Sequence, residues 1–244
     1  MKPFRIAACG RTHPGLRREN NEDSFHIGEN LLVVADGIGG SVAGELASQT
    51  VVEIFADVRH ADDGDDLYRI LAELVERSTD QINELVRRDP DLEGMGTTAT
   101  AMMWCADRIV FAHVGDSRAY YLQRAASQEF TQITRDDSFV QYLVDRGLIT
   151  PEQAREHPRR NVILKALNGM SVTPQFSTLA PLIGDRYLLC SDGLSDYVDR
   201  SAIEDTLRSN ADREEAADAL IQLSLDAGAP DNVTVIVADV VDAD

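Results

Sequence analysis

Apolar residues follow two rhythms along this chain. The continuous runs Leu31-Leu32-Val33-Val34-Ala35, Tyr187-Leu188-Leu189-Cys190-Ser191 and Val233-Thr234-Val235-Ile236-Val237 have the length and β-branched character of buried strands. Residues 5–9 and 23–27 predict further short strands, and 97–105, 108–114 and 118–124 a series joined by tight turns. Elsewhere the period changes to that of a helix. Ala43, Leu46, Ala47, Val51, Ile54, Phe55 and Val58 share one face; Leu67, Ile70, Leu71, Leu74, Val75, Ile82, Leu85 and Val86 share another, stopped by Asp89-Pro90-Asp91. The acidic run Asp62-Asp63-Gly64-Asp65-Asp66 between them reads as a solvated linker. Thr150-Pro151-Glu152-Gln153 and Ser201-Ala202-Ile203-Glu204 carry the signature of capped helix starts, and a last helix over 212–227 ends at Gly228. Strands resume at 173–180, 186–191 and 233–240, whereas 136–168 breaks the pattern and reads as an insertion of short helices of the kind that covers an active site. Paired helices between runs of strands predict an α+β fold: two packed sheets with helices outside, in a single domain over 1–244.

With 43% hydrophobic residues in 244, the chain can bury a sizeable core. Its net charge of −19 changes the picture more, because such a field repels nucleic acid and anionic membranes. Part of that excess serves solubility; the sharper reading is that part lines a cation site. No apolar run is long enough to span a bilayer, and Met1 to Gly15 lacks the apolar core of a secretory signal. Cys9, Cys105 and Cys190 are odd in number and widely separated, as expected for reduced, buried thiols in a cytoplasmic protein.

The candidate chemistry lies where strands meet turns. Asp36-Gly37 closes one buried run, Asp192-Gly193 closes another, and Asp231-Asn232 opens the third. Each pair alone is also ordinary turn punctuation. Together, three carboxylates on one strand rim would repel each other unless hard divalent cations neutralised them. Glu22-Asp23 precedes a short strand and Asp116 follows another, while Arg18, five residues before Asp23, is placed to hold an anion. An arginine beside a divalent cluster suits phosphoryl transfer. Competing chemistries fail on particular positions. Gly37-Ile38-Gly39-Gly40 lacks the last glycine of a dinucleotide fingerprint, since Val42 stands there. No glycine loop is followed by a Walker lysine. The residues six beyond the cysteines are Gly15, Phe111 and Asp196, not the arginine of a thiolate phosphatase. No histidine or cysteine pair has zinc-ligand spacing.

The runs Asn20-Asn21-Glu22-Asp23, Ala35-Asp36-Gly37-Ile38-Gly39-Gly40, Gly44-Glu45, Gly94-Met95-Gly96-Thr97-Thr98, Val114-Gly115-Asp116-Ser117-Arg118, Cys190-Ser191-Asp192-Gly193-Leu194 and Pro230-Asp231-Asn232-Val233-Thr234 resemble, in order, the motifs of the protein phosphatase type 2C family. Thr134 to Leu167, with Leu148-Ile149-Thr150-Pro151-Glu152 and His157-Pro158, resembles the flap of its bacterial branch, which opposes serine/threonine protein kinases. The resemblance implies a four-layer αββα sandwich of two mainly antiparallel sheets, and removal of phosphate from phosphoserine and phosphothreonine by a hydroxide bridging two Mn²⁺ or Mg²⁺ ions. It implies Asp36 as the bridging carboxylate with the Gly37 carbonyl on one ion, Asp192 and Asp231 as direct ligands of the other, and Glu22 and Asp23 as ligands, direct or through water. Asp116, with Asp192, would hold a third, weaker ion; Arg18 would bind phosphate; Asn232 would orient Asp231. The partners implied are phosphorylated proteins, kinases among them, met by a monomer.

Two departures stand out. Ile38 occupies the place where some members carry a histidine proposed to protonate the leaving oxygen. His157 in the flap is the alternative donor, although a helix-terminal surface histidine is the simpler account of it. The bacterial relatives also carry a membrane segment and outer domain beyond the catalytic domain. The chain stops at Asp244, which fits a freestanding enzyme or part of a longer protein equally.

Overall fold

The structure, a computed structural model, describes residues 4–58, 66–124 and 129–243, except for the side chain of Ser41. All but Asp66 of the acidic run read as a linker lies outside the described residues. Among the described residues, no helix is long and apolar enough to cross a membrane.

Two antiparallel sheets form the centre. The first contains β1 (Phe4–His13), β7 (Arg118–Leu122), β8 (Phe130–Gln132), β10 (Arg186–Cys190) and β11 (Val233–Asp242), in the order β1-β11-β10-β7-β8. The second contains β2 (Asp23–Ile27), β3 (Leu31–Ile38), β5 (Ala99–Cys105), β6 (Arg108–Val114) and β9 (Gln175–Leu179), in the order β2-β3-β5-β6-β9, with β4 (Gly96–Thr97) added to the end of β3. Between the sheets lie Leu32, Val34, Met102, Phe111, Leu189 and Ile236, with Tyr187 fully buried and its ring stacked 5.2 Å from that of Tyr121. The continuous apolar runs thus belong to strands packed on both faces: the odd residues of β3, Leu31, Val33 and Ala35, turn instead to the helices.

On that outer face of the second sheet sit α1 (Ser41–Ala56) and α2 (Leu67–Arg88). The Asp66 carboxylate caps α2 by accepting from the Arg69 N–H, Arg87 and Arg88 complement its C-terminal dipole, and Asp89-Pro90 ends it as expected. On the first sheet sit α5 (Asp192–Ser195), α6 (Arg200–Ser209) and α7 (Arg213–Asp226). The layers are therefore αββα. Between β8 and β9 the chain forms α3 (Phe139–Asp145) and α4 (Pro151–Arg155), the latter opened by the expected capping box of Thr150 and Gln153.

Several boundaries differ from the sequence reading. β1 runs to His13, because it pairs residue by residue with all of β11. The 97–105 strand is broken at Thr98, whose hydroxyl accepts from the Asp36 N–H. α6 begins after Asp199, so Ser201 lies within the helix and caps nothing. Asp36 is inside β3 rather than beyond it, since Gly37 and Ile38 continue the ladder against β4.

A buried ion pair locks the first sheet to its helices. Arg186, fully buried on β10, makes a two-pronged contact with Asp239 on β11 at 2.6 and 2.8 Å. It also donates to the carbonyls of Leu207, Asn210 and Ala211, which tethers the α6–α7 turn. Such a cation is tolerable because its donors all face acceptors.

Candidate active site

The two sheets contribute opposite halves of one acidic rim. Asp23 and Asp36 stand directly across from each other on β2 and β3, an arrangement that is repulsive between like charges. The other sheet supplies Asp192, the first residue of α5 after β10, and Asp231, just before β11. Ser191 joins the halves: its Oγ donates to Asp23 Oδ2 at 2.7 Å and accepts from the Thr234 N–H at 2.9 Å. Glu22 is buried and held by its backbone, whose N–H donates to Asn232 Oδ1 at 2.8 Å. The same side chain donates to the carbonyls of Pro14 and Asn20. Asn232 therefore organises the Glu22 segment, while its own N–H donates to Asp231 Oδ1 at 2.9 Å. Gly44 opens α1 toward this cluster; a Cβ there would lie 2.0 Å from Glu22 Oε2, so only glycine leaves room for that carboxylate.

Burial and mutual repulsion dominate the electrostatics of the rim. Burial first, then Asp23, Asp192, Asp116 and Asp231, push the Asp36 carboxyl well above the ordinary range, although part of its surface still meets solvent in the cleft. Burial, then Asp116 and Asp196, do the same to Asp192. Asp23 is pushed up to about 6 and Asp116 to about 7, in both cases chiefly by burial. The Glu22 carboxyl is raised for the same reason. Asp23 Oδ1 and Asp116 Oδ1 are buried with no hydrogen-bond partner.

Arg18 Nη2 lies 2.9 Å from Asp231 Oδ2, with the side chain half exposed. It follows a turn over 15–17, in which Arg17 is exposed as well. His157 follows α4, where its Nδ1 accepts from the Arg159 N–H and its ring tilts against Phe139. These local contacts account for it without an acid role.

Asp116 sits at the inner end of a cavity of about 270 Å³ beneath α3 and α4, lined also by Arg118, Asp136, Ser138, Arg160 and Asp196. Arg118 holds Asp136 with both prongs, Nη2 to Oδ2 at 2.6 Å and Nε to Oδ1 at 3.0 Å, and donates to the Ser195 carbonyl. The sequence reading passed over Asp136 and Asp137 altogether and quoted Arg118 only within a motif. No periodicity marks 134–138, and its partners lie far away along the chain.

The donors are all oxygen, as hard divalent cations require, and two buried carboxylate oxygens have nothing else to bind. Among the described residues, no group of three or more His, Cys, Asp or Glu side chains is gathered closely enough to hold a metal ion by itself. Ions of the Mg²⁺ type are held by one or two carboxylates with backbone carbonyls and water, so an open rim rather than a cage is the arrangement that suits them. The residues present fit such ions.

The model of the family described as protein phosphatase 2C matches residues 9–226. The chain is 49% identical to the serine/threonine protein phosphatase PstP of Mycobacterium tuberculosis over 236 residues, which are 97% of this chain and 45% of that protein. It thus spans under half the length of that relative. It is 34% identical to the serine/threonine phosphatase stp of Listeria welshimeri, covering 94% of both chains. The crystal structure of the PstP catalytic domain in complex with two manganese ions superposes with a TM-score of 0.91 at 46% identity, covering 98% of this chain and 100% of that one.

Proposed function

The chain belongs to the protein phosphatase 2C family, and from that premise we propose that it is a metal-dependent phosphatase of phosphoserine and phosphothreonine in proteins. The observation that carries this reading is the convergence of buried, mutually repelling carboxylates from both sheets beside the guanidinium of Arg18. Asp36, the Gly37 carbonyl, Asp192 and Asp231 would hold two Mn²⁺ or Mg²⁺ ions, with Glu22 and Asp23 acting directly or through water. Asp116 with Asp192 would hold a third, weaker ion. Bound there, divalent ions supply charge neutralisation at the phosphoryl oxygens and an activated water.

The protein's own groups do the rest. Arg18 rests on Asp231 beside the rim, and its guanidinium would take two phosphoryl oxygens and align the ester for in-line attack. Asn232 keeps the Glu22 and Asp231 segments together. Without cations the rim would repel a dianionic phosphate, so metal is needed for binding as well as for chemistry. The cysteines are not placed as nucleophiles: all three are buried, and burial raises the Cys190 thiol to about 12.

Residues 1–244 act in this reading as one catalytic domain, with 136–168 as its flap. It would work as a monomer in the cytoplasm, where its thiols stay reduced, on phosphorylated proteins that include bacterial serine/threonine kinases. The test is hydrolysis of phosphoserine and phosphothreonine peptides by exhaustively chelated protein, with and without restored Mn²⁺, for wild type and Asp36→Asn. Activity should vanish on chelation, return with Mn²⁺, and fall by orders of magnitude in the variant. Full turnover by the chelated protein would refute the reading.

A further inference from the structure

The flap is bonded to the turn that carries Asp116. That turn, Gly115 to Ser117, links β6 to β7, and Gly115 takes a φ of +111°, a conformation that L side chains rarely adopt. Asp137, at the flap's first leg, closes a reciprocal pair on it. Its N–H donates to the Gly115 carbonyl at 2.6 Å, and its Oδ2 accepts from the Gly115 N–H at 3.3 Å. The second leg closes on the first. Lys165 Nζ lies 3.0 Å from Asp137 Oδ1, the Leu164 N–H donates to the Asp137 carbonyl at 2.7 Å, and Ser138 bridges to Ile163. Asp137 is buried, whereas Lys165 is about half exposed, with 47% of its side chain accessible. The Asp137 carboxylate thus faces the glycine amide with one oxygen and the flap's returning leg with the other.

Resting on the metal-dependent reading above, we propose that Asp137, clamped by Lys165, is a positioning residue that fixes Asp116 for its cation and makes the affinity of that site depend on closure of the two flap legs. Asp137 acts through the Gly115 backbone, in the manner of the outer partners that orient metal ligands and whose loss weakens affinity about 10–100-fold.

Charge alone and positioning make opposite statements about Lys165. If only the local field mattered, removing a cation near Asp116 would tighten cation binding there. If Lys165 holds Asp137 in place, removing it weakens that binding. Mn²⁺ titration by calorimetry on the whole chain therefore decides, using wild type, Asp137→Ala, Lys165→Met and Lys165→Arg. The tight phase of binding should be unchanged in all four. The weaker phase should shift to about 10-fold higher Mn²⁺ or more in Asp137→Ala. It should shift in the same direction in Lys165→Met and return toward wild type in Lys165→Arg.

A weaker phase in Lys165→Met as tight as wild type or tighter overturns the proposal. So does an unmoved weaker phase in Asp137→Ala, or loss of tight and weak phases together. Should Asp137→Ala fail to fold, Lys165→Met decides, since Lys165 is on the surface. Wild-type protein that binds no Mn²⁺ would sink the phosphatase reading itself. A wild type with the tight phase and no weaker one would sink only this inference.

Discussion

Asp116→Asn separates the cost of the acidic rim from its use. In metal-free protein the Asp116 carboxyl titrates near 7 rather than 3.8, because it is buried and then because Asp136 and Asp196 face it. The folded state therefore holds the proton more tightly than the unfolded chain. Its stabilising contribution is fully present below the unfolded value and is lost as pH rises through the folded one. A rise of that size corresponds to about 4 kcal/mol lost by the time both states are ionised. Asparagine removes this loss but leaves amide hydrogens short of partners at a place where Oδ1 already has none, which costs about 1–2 kcal/mol. In chelator at pH about 8, Asp116→Asn should thus be about 2 kcal/mol more stable than wild type. At pH about 5 most of the difference should be gone, because the wild-type carboxyl is protonated in the folded state. Urea unfolding at the two pH values, in chelator, measures both numbers. With Mn²⁺ restored the order should narrow or invert, since the variant keeps the tight ions but loses the weaker one assigned to Asp116. A chelated variant less stable than wild type at the higher pH, or a difference independent of pH, would refute the account of the rim.

Arg18→Ala should raise KM for phosphopeptides by about 10-fold or more while changing kcat less, because it removes a charge-assisted contact to phosphate; steady-state kinetics check the split. Arg17→Ala should leave both constants near wild type, as the side chain is exposed in the turn before Arg18; a larger effect than that of Arg18→Ala would reverse the assignment. Asp239→Ala strips the buried Arg186 of its carboxylate and should cost about 3–5 kcal/mol of stability in urea unfolding. In Mn²⁺-saturated, still-folded protein, turnover should be close to wild type.

The layered fold was legible because the strands of both sheets are apolar on alternate or both faces and α2 is strongly one-sided. The carboxylates were legible for a different reason: Asp36, Asp192 and Asp231 interrupt or border the most apolar strands, where a charge has to have a purpose. What escaped was whatever depends on a partner distant in sequence. Asp36 was placed past the end of its strand because the apolar run stops at Ala35, yet β4 extends the ladder to Ile38. The helix start at Ser201 was misjudged because Ser201, the second residue of α6, lies just beyond the true N-cap Asp199, and a capping pattern there looks like one at the helix start. Asp137 gave no signal, since its meaning lies in Gly115 and Lys165, and neither is near it in an element of regular period.

The ten-residue pairing of β1 with β11 sets the order of events during synthesis. Among the described strands β1 comes first and β11 last, so until β11 is made the first sheet lacks the strand that joins β1 to β10. Asp231 and Asn232 emerge with that final strand, and Glu22 waits for the Asn232 side chain to fix its backbone. Contacts of such long separation form late and slowly. Until that strand is made, the acidic rim lacks Asp231 and the Asn232 contact that fixes Glu22, and the proposed site is incomplete.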